Sequence, residues 1–400
     1  MDLGESADVA AFRAAARAWL EANAPAKGGP GDFTAGRDRQ FVDGCRGWQA
    51  KLHAAGWAGI AWPRAHGGQG RSALHDLAFR REQARFGVSG AAFDVGIGMV
   101  GPTLMVHGTP AQQTTHLPAL LRGDEVWCQM FSEPGAGSDL AGLSTAARRA
   151  AGGWVIDGQK VWTSYARFAD YAILLARSAP ERPKHRGITC FVVDMGLPGI
   201  EIRPIRQMNG AAEFNQVFLT SVAVPDEAVL GDVDGGWAVA NTMLGSERGL
   251  IGDEWPGAAE LAEIARTRGV AGEPVVRQRI AEVFITEQIL RFLDLRVQSR
   301  LERGEPLGSL ASIVNLAFAD HLRKAGNAAG SLLGPEILVA PPNVGPAGRW
   351  RFHLLTAPSV RIASGTDEIQ RNILGERALG LPREPLAPGP SGSLASSGRS

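Results

Sequence analysis

Apolar side chains recur at three- and four-residue spacing through the first third of the chain. Val9, Phe12, Ala16, Trp19 and Leu20 fall on one helical face, and Phe41, Cys45, Trp48 and Leu52 on another. Glycine and proline interrupt these runs, at Gly29, Pro30 and Gly31 and again at Pro63. Residues 1–123 are therefore expected to form an N-terminal helical domain. Over 124–232 the pattern changes to short β-favouring runs: YAILLARS at 171–178, GITCFVVDM at 187–195, GIEIRPI at 199–205 and FNQVFLTSVAVP at 214–225. WVIDGQKVW places Asp157-Gly158 between two such runs, the signal of a short hairpin. This stretch predicts a middle antiparallel β domain.

The helical period returns at Trp237 and defines a C-terminal helical domain over 233–383. Within it, 275–303 holds no proline and carries Ile280, Phe284, Ile285, Ile289, Phe292, Leu293 and Val297 around much of its circumference. A helix apolar over so wide an arc is buried on several sides, inside a bundle or at a subunit interface. A further helix is expected over about 308–332. The tail, 384–400, is rich in Pro, Gly and Ser and is expected to be disordered. An α–β–α order with the helices outside is not that of a doubly wound nucleotide fold.

Composition narrows the field. The chain has 400 residues, more than one ordinary core holds, with 41 basic and 41 acidic side chains. That balance gives no basis for bulk nucleic-acid binding. Hydrophobic residues make up 44%, a globular proportion that excludes wholesale disorder. The three cysteines, Cys45, Cys128 and Cys190, are scattered, so neither a disulfide framework nor a zinc spacing is expected. The eight histidines likewise form no close metal pattern. No run of 18 apolar residues and no secretory leader is found, and a reducing cytoplasm is the simplest address.

Three clusters carry candidate chemistry. FSEPGAGSD (131–139) is a glycine-rich loop flanked by Ser132 and Ser138. A dinucleotide fingerprint requires a following helix, and the residues here are polar and β-like, so that reading is excluded. What remains is a loop whose backbone N–H groups cradle phosphate or a polar ring edge, or else a plain tight turn. KVWTS (160–164) sets Trp162 beside Thr163 and Ser164, which suits a flat heteroaromatic with a polar rim as well as an ordinary core strand. RIASGTDEIQRNILGER (361–377) joins a small-residue run to a helix capped by Thr366, with Asp367 and Glu368 in its first turn.

The order and spacing of FSEPGAGSD, KVWTS and SGTDEIQRN resemble the acyl-CoA dehydrogenases, over nearly the whole chain. GWAGIAWPRAHGGQG (56–70), RQMNGAAEFNQVF (206–218) and LGERALGLPRE (374–384) support the likeness, and the ending is similar to enzymes of actinobacterial lipid and steroid degradation. The resemblance implies an α+β fold with an N-terminal helical domain, a middle antiparallel β domain and a C-terminal four-helix bundle. It implies FAD held by Gln129, Phe131, Ser132, Gly137 and Ser138, by Trp162, Thr163 and Ser164, and by Thr366 and Glu368. It places the acyl-CoA against Ser138, Arg248 and Gly365, and implies an electron-transfer flavoprotein as acceptor. The expected assembly is a homodimer or homotetramer. Similar chains also work as half of a mixed tetramer in which one subunit type holds FAD. Oxidases, monooxygenases and acyl-carrier-protein dehydrogenases share the same features, so these chemistries are rivals, as is a non-catalytic partner subunit.

Two departures from the family pattern matter. Many members carry the catalytic base as a glutamate just before the Gly-Thr of the third cluster, where this chain has Ser364. Branched-chain and long-chain members carry it in a Glu-Arg pair at the start of the C-terminal domain, where this chain has Glu247-Arg248. The residues support that placement independently. Ala240, Met243, Leu244 and Ile251 form an apolar stripe that contains Glu247. A glutamate there is either ion-paired, for instance with Arg248, or kept for a task, and burial would raise its pKa toward that of a working base. The second departure is the Arg-x-x-Phe-Gly stretch that holds the FAD pyrophosphate from a neighbouring subunit. The nearest text is ARTRGVAGEPVVRQR (265–279), with Arg266, Arg268 or Arg279 as substitutes.

Overall fold

The structure is a computed structural model that describes residues 6–34, 36–247, 257–341 and 345–382. The side chain of Glu247, all of Arg248 and Ile251, and the 384–400 tail lie outside the described residues. Among the described residues, five α-helices come first: α1 (Ala7–Asn23), α2 (Arg39–Ala54), α3 (Ala73–Gln83), α4 (Gly101–His107) and α5 (Pro110–Arg122). The starts of α1, α2 and α5 follow capping chemistry. Ser6 accepts from the Val9 N–H, Asp38 from the Phe41 N–H, and Thr109 and Gln112 form a reciprocal capping box ahead of α5. Leu20, Trp48 and Leu52 from the faces read in the sequence meet Phe79 of α3 in one core.

Eight strands follow: β1 (Trp127–Met130), β2 (Ala146–Ala150), β3 (Gly153–Ser164), β4 (Tyr171–Arg177), β5 (Ile188–Asp194), β6 (Ile200–Pro204), β7 (Phe214–Pro225) and β8 (Val229–Leu230). They form one sheet in the order β6-β7-β3-β2-β4-β5-β8, with β1 alongside β4. The pairings are antiparallel except β1 with β4 and the single β2–β4 bridge at Ala146 and Arg177. Strand β4 reads as an unbroken apolar run because both its faces are covered. Ile173 and Leu175 join the core shared with the N-terminal helices, while Ala172, Leu174 and Ala176 join the core inside the β domain.

The hairpin expected at Asp157-Gly158 is not there. β3 runs straight through, and the two residues sit at a bulge where its register against β7 shifts between Ile156 and Gly158. The twelve-residue β7 offers hydrogen bonds along the full length of β3, so the chain has no reason to turn. The missing side chain of Gly158 is needed for Thr145, whose Oγ1 would lie 2.4 Å from an added Cβ. Asp157 faces outward and accepts from the Ser221 N–H at 2.7 Å.

The helical period resumes with α6 (Gly236–Glu247), α7 (Ala258–Thr267), α8 (Pro274–Glu302), α9 (Ser309–Leu333), the short α10 (Glu336–Val339), α11 (Gly345–Val360) and α12 (Asp367–Ile373). α6 packs its Val239, Ala240 and Met243 into the N-terminal core against β5. α7, α8, α9 and α11 share a separate core around Leu261, Val283, Ala329 and Trp350. The two long helices fall within a residue or two of the sequence reading. The burial expected around α8 is only half present: Val283, Leu293 and Val297 are buried, but Phe284, Ile285, Ile289 and Phe292 are 52, 53, 46 and 60% exposed. Within one chain, this helix has an uncovered apolar face.

Candidate active site

The first two clusters lie against each other. β1 leads into the glycine-rich loop, and the loop's entry is tied to β3 by the Val161 N–H donating to the Ser132 carbonyl at 2.9 Å. A strand precedes the loop, as a dinucleotide fingerprint would require, but no α-helix follows it, which agrees with exclusion of that reading. A three-residue turn at Leu140–Gly142 and then β2 follow instead. Within the loop, Glu133 and Ala136 exchange backbone hydrogen bonds of 2.9 and 3.1 Å. Phe131 is buried and Ser132 half-buried, while Gly137 and Ser138 are exposed at the tip.

A second bulge shapes the KVWTS segment. The register of β3 on β7 shifts between Lys160 and Thr163, so the extra residue is taken up at this point. Trp162 adopts a left-handed backbone with φ of 61° and is 58% exposed, edge-on to Phe214 at 6.2 Å. A bulky residue in that region is strained, and an exposed indole recovers little by packing within the chain. Its neighbour Thr163 is buried, with Oγ1 lacking a hydrogen-bond partner, and Ser164 is half-buried. The Gln129 Nε2 and Asn215 Oδ1 atoms are also buried and unpartnered. Asn215 is the β7 partner of Thr163, and its Nδ2 donates to the Thr163 carbonyl at 2.9 Å. Unpaired buried polar atoms are costly, so their concentration beside a presented indole fits a flat ligand with a polar rim.

Beneath both clusters lies a pair that the sequence reading passed over. Lys160 is 0% exposed, and its Nζ donates to Glu133 Oε1 at 2.8 Å and to the Phe131 carbonyl at 3.1 Å. Glu133 also accepts from the Ser144 N–H and hydroxyl at 2.7 and 2.8 Å and from the Thr145 N–H at 2.9 Å. Burial alone would push the Glu133 carboxyl up, but the Lys160 charge and these donors hold it down at about 2. Burial lowers Lys160 to about 8 against the pull of Glu133, which leaves the pair ionised at neutral pH. The available signal was a lysine in mid-strand in a chain that has only five.

The third cluster sits on the helical body, where α12 packs against α9. Thr366 caps α12 by accepting from the Ile369 N–H, as its position suggested. Ser364 and Gly365 have left-handed φ of 55° and 95°, and both carbonyls accept from Gln370 Nε2. Asp367 is buried and ion-paired with Arg361 at 2.7 Å. Its Oδ1 and the Gln370 Oε1 are buried without partners. Glu368 is exposed, with its carboxyl held low by its own backbone N–H and then by the Thr366 hydroxyl.

The remaining candidates divide. Glu247 is the last residue of α6, on the helix whose Ala240 and Met243 are fully buried and whose Leu244 packs against the same core. Arg248 lies outside the described residues. Of the three arginines considered for a pyrophosphate, Arg266 is paired with Glu263 and Arg268 with Glu336, while Arg279 is exposed on α8. Cys45, Cys128 and Cys190 are buried, and burial raises each thiol, Cys45 to about 11, so none is a ready nucleophile. Among the described residues no group of three or more His, Cys, Asp or Glu is placed to hold a metal. No described helix is long and apolar enough to cross a membrane.

Comparison with known proteins agrees with this fold. Residues 6–124, 128–222 and 234–379 match, in order, the acyl-CoA dehydrogenase N-terminal, middle and C-terminal domains. Acyl-CoA dehydrogenase IpdE1 of Mycobacterium tuberculosis is 36% identical over 389 residues, covering 94% of this chain and 99% of that one. The IpdE1 of Mycolicibacterium smegmatis is 37% identical over 399 residues, with the same coverage. Among solved structures, the Tcur3481-Tcur3483 steroid ACAD superposes with a TM-score of 0.82 at 30% identity, covering 96% of this chain and 100% of its own. The ChsE4-ChsE5 complex from Mycobacterium tuberculosis gives 0.79 at 28% identity, with the same coverage. The chain belongs to the acyl-CoA dehydrogenase family and is an enzyme of that class.

Proposed function

We propose that the chain is an FAD-dependent dehydrogenase that converts an acyl-CoA thioester to its trans-2-enoyl product, with Glu247 as the base. The observation that carries this reading is the junction of the first two clusters: an exposed, left-handed Trp162 beside the buried and unpartnered Thr163 Oγ1 and Gln129 Nε2. Those groups fit an isoalloxazine, with Phe131, Ser132, Gly137, Ser138 and Ser164 completing the surface. Thr366 and Glu368, together with the unpartnered Gln370 Oε1, supply polar groups from the helical body. FAD, when bound, supplies the acceptor for the β-hydride.

The chain's own residues supply the rest. Glu247, on the helix that closes the N-terminal core, takes the α-proton as a carboxylate. Ser364, at the position where many family members carry a glutamate, is a neutral hydroxyl and not a carboxylate. Small residues at Ala363, Ser364 and Gly365 leave room for the thioester, and Arg248 and Ser138 lie where the family meets its acyl-CoA. With its base on the helix, the pocket suits a branched or bulky acyl group, and the steroid ACAD among the similar structures points the same way. An electron-transfer flavoprotein is the proposed acceptor. The visible spectrum of the purified chain, with FAD counted per chain, tests the cofactor. Near one per chain is expected, and a chain that takes up no FAD even when it is supplied contradicts the proposal.

The uncovered face of α8 bears on assembly. Ile285, Ile289 and Phe292 recur at four- and three-residue spacing, a continuous apolar stripe of the kind a second helix covers. We place a second copy of this chain on it, since a stripe along one helix is self-complementary about a two-fold axis. Sedimentation should give a dimer or larger assembly, reduced in mass by Ile289→Asp. A monomer that assembles only with a different chain would instead place a related subunit there, as in the two-chain complexes among the similar structures.

A further inference from the structure

Added Cβ atoms at Gly135 and Gly137 of the glycine-rich loop would meet nothing within 4 Å, and Gly137 and Ser138 are exposed. The loop is held by Ala136, which packs into the N-terminal core, by an ion pair of Asp139 with Lys184, and at its base, where several ties converge on one buried point. Lys160 Nζ holds the Phe131 carbonyl and the Glu133 carboxylate, and Glu133 in turn holds the amides of Ser144 and Thr145. One ammonium and one carboxylate thus gather the entry of the loop, its exit and strand β3. On β3, Lys160 pairs with Val217 as the last residue in register before the bulge that turns Trp162 outward. With Lys160 anchored inward, the extra residue falls at 161–162 and the indole is committed to the opposite face.

We infer that Lys160 and Glu133 are positioning residues that fix the glycine-rich loop and Trp162 relative to each other. On the FAD reading above, on which this inference rests, they pre-organise the two walls of the flavin site without touching the flavin. A buried ion pair is a poor source of stability when compared with a well-packed apolar pair, which leaves its placement here to be explained by geometry. Besides the bond between them the pair makes four hydrogen bonds, three accepted by Glu133 from Ser144 and Thr145 and one donated by Lys160 to the Phe131 carbonyl, and the Val161 to Ser132 backbone bond lies next to it.

The test uses the full chain in three forms: unchanged, Lys160→Met, and Lys160→Met with Glu133→Gln. The double variant carries no uncompensated buried charge and serves if the single variant does not fold. Two readouts are taken. In flavin-free protein, amide exchange at Ser144, Thr145 and Val161 should accelerate at least about tenfold in the variants. Exchange at Leu174 and Val192 in the neighbouring strands should stay unchanged. In FAD titrations the dissociation constant should rise at least about tenfold, with a shifted flavin absorption band. Wild-type exchange, affinity and spectrum in the double variant would overturn the inference and reduce the pair to a filler of the core. If the unchanged chain binds no FAD, the cofactor reading fails on its own, and the exchange experiment still decides whether the pair pins the loop.

Discussion

Glu247→Gln should abolish bleaching of the flavin by acyl-CoA while leaving flavin content and fold intact. The amide keeps the shape and length of the side chain and its place at the end of α6, but it cannot accept the α-proton. Positioned general bases contribute on the order of 10²–10⁴-fold, and the alternative position holds Ser364, which is not a carboxylate. Rapid mixing of the FAD-loaded variant with acyl-CoA, followed in the flavin bands, reads the step directly. Near-normal bleaching would remove Glu247 from the mechanism and return attention to the third cluster.

Trp127→Ala should cost the protein about 3–5 kcal/mol, the range for deleting a buried tryptophan. Trp127 is 1% exposed at the start of β1, stacked on Tyr171 at 5.2 Å and edge-on to His116 of α5 at 5.0 Å. Its Nε1 donates to Glu125 Oε2 at 2.9 Å, and Glu125 also meets His116. The ring therefore joins the N-terminal helices to the sheet, two residues ahead of Gln129. Against a typical total of about 5–15 kcal/mol, such a loss is large, and it should loosen the flavin site as well. Urea unfolding compared with Trp127→Phe is the check: the phenylalanine retains most of the packing, and an alanine variant as stable as wild type would show the junction to be carried elsewhere.

How far the sequence was legible depends on whether a signal is local. α8 was readable because Pro274 opens it and no glycine or proline interrupts it before Gly304. β4, β5 and β7 were readable as apolar or alternating runs. The Asp157-Gly158 dipeptide misled because its meaning depends on β7 and Thr145, which are distant in sequence and adjacent in space. β1 went unread because four residues, WCQM, give no period. At the site, the clusters were visible as text, but the left-handed backbone of Trp162 and the burial of Lys160 were not. Both follow from the register of β3 on β7, which no local pattern encodes. The exposed side of α8 is a related case: the sequence showed an apolar circumference, and only packing separated the half covered by α9 from the half left open.

Catalysis requires that acyl-CoA and flavin meet at the junction of the first two clusters. Anaerobic titration of the FAD-loaded chain with a panel of acyl-CoA thioesters, straight-chain through bulky polycyclic, measures that. Stoichiometric bleaching of the flavin bands with release of an enoyl-CoA is expected, strongest for a branched or bulky acyl group. A flavin-loaded chain that no acyl-CoA in the panel bleaches would contradict the proposed function.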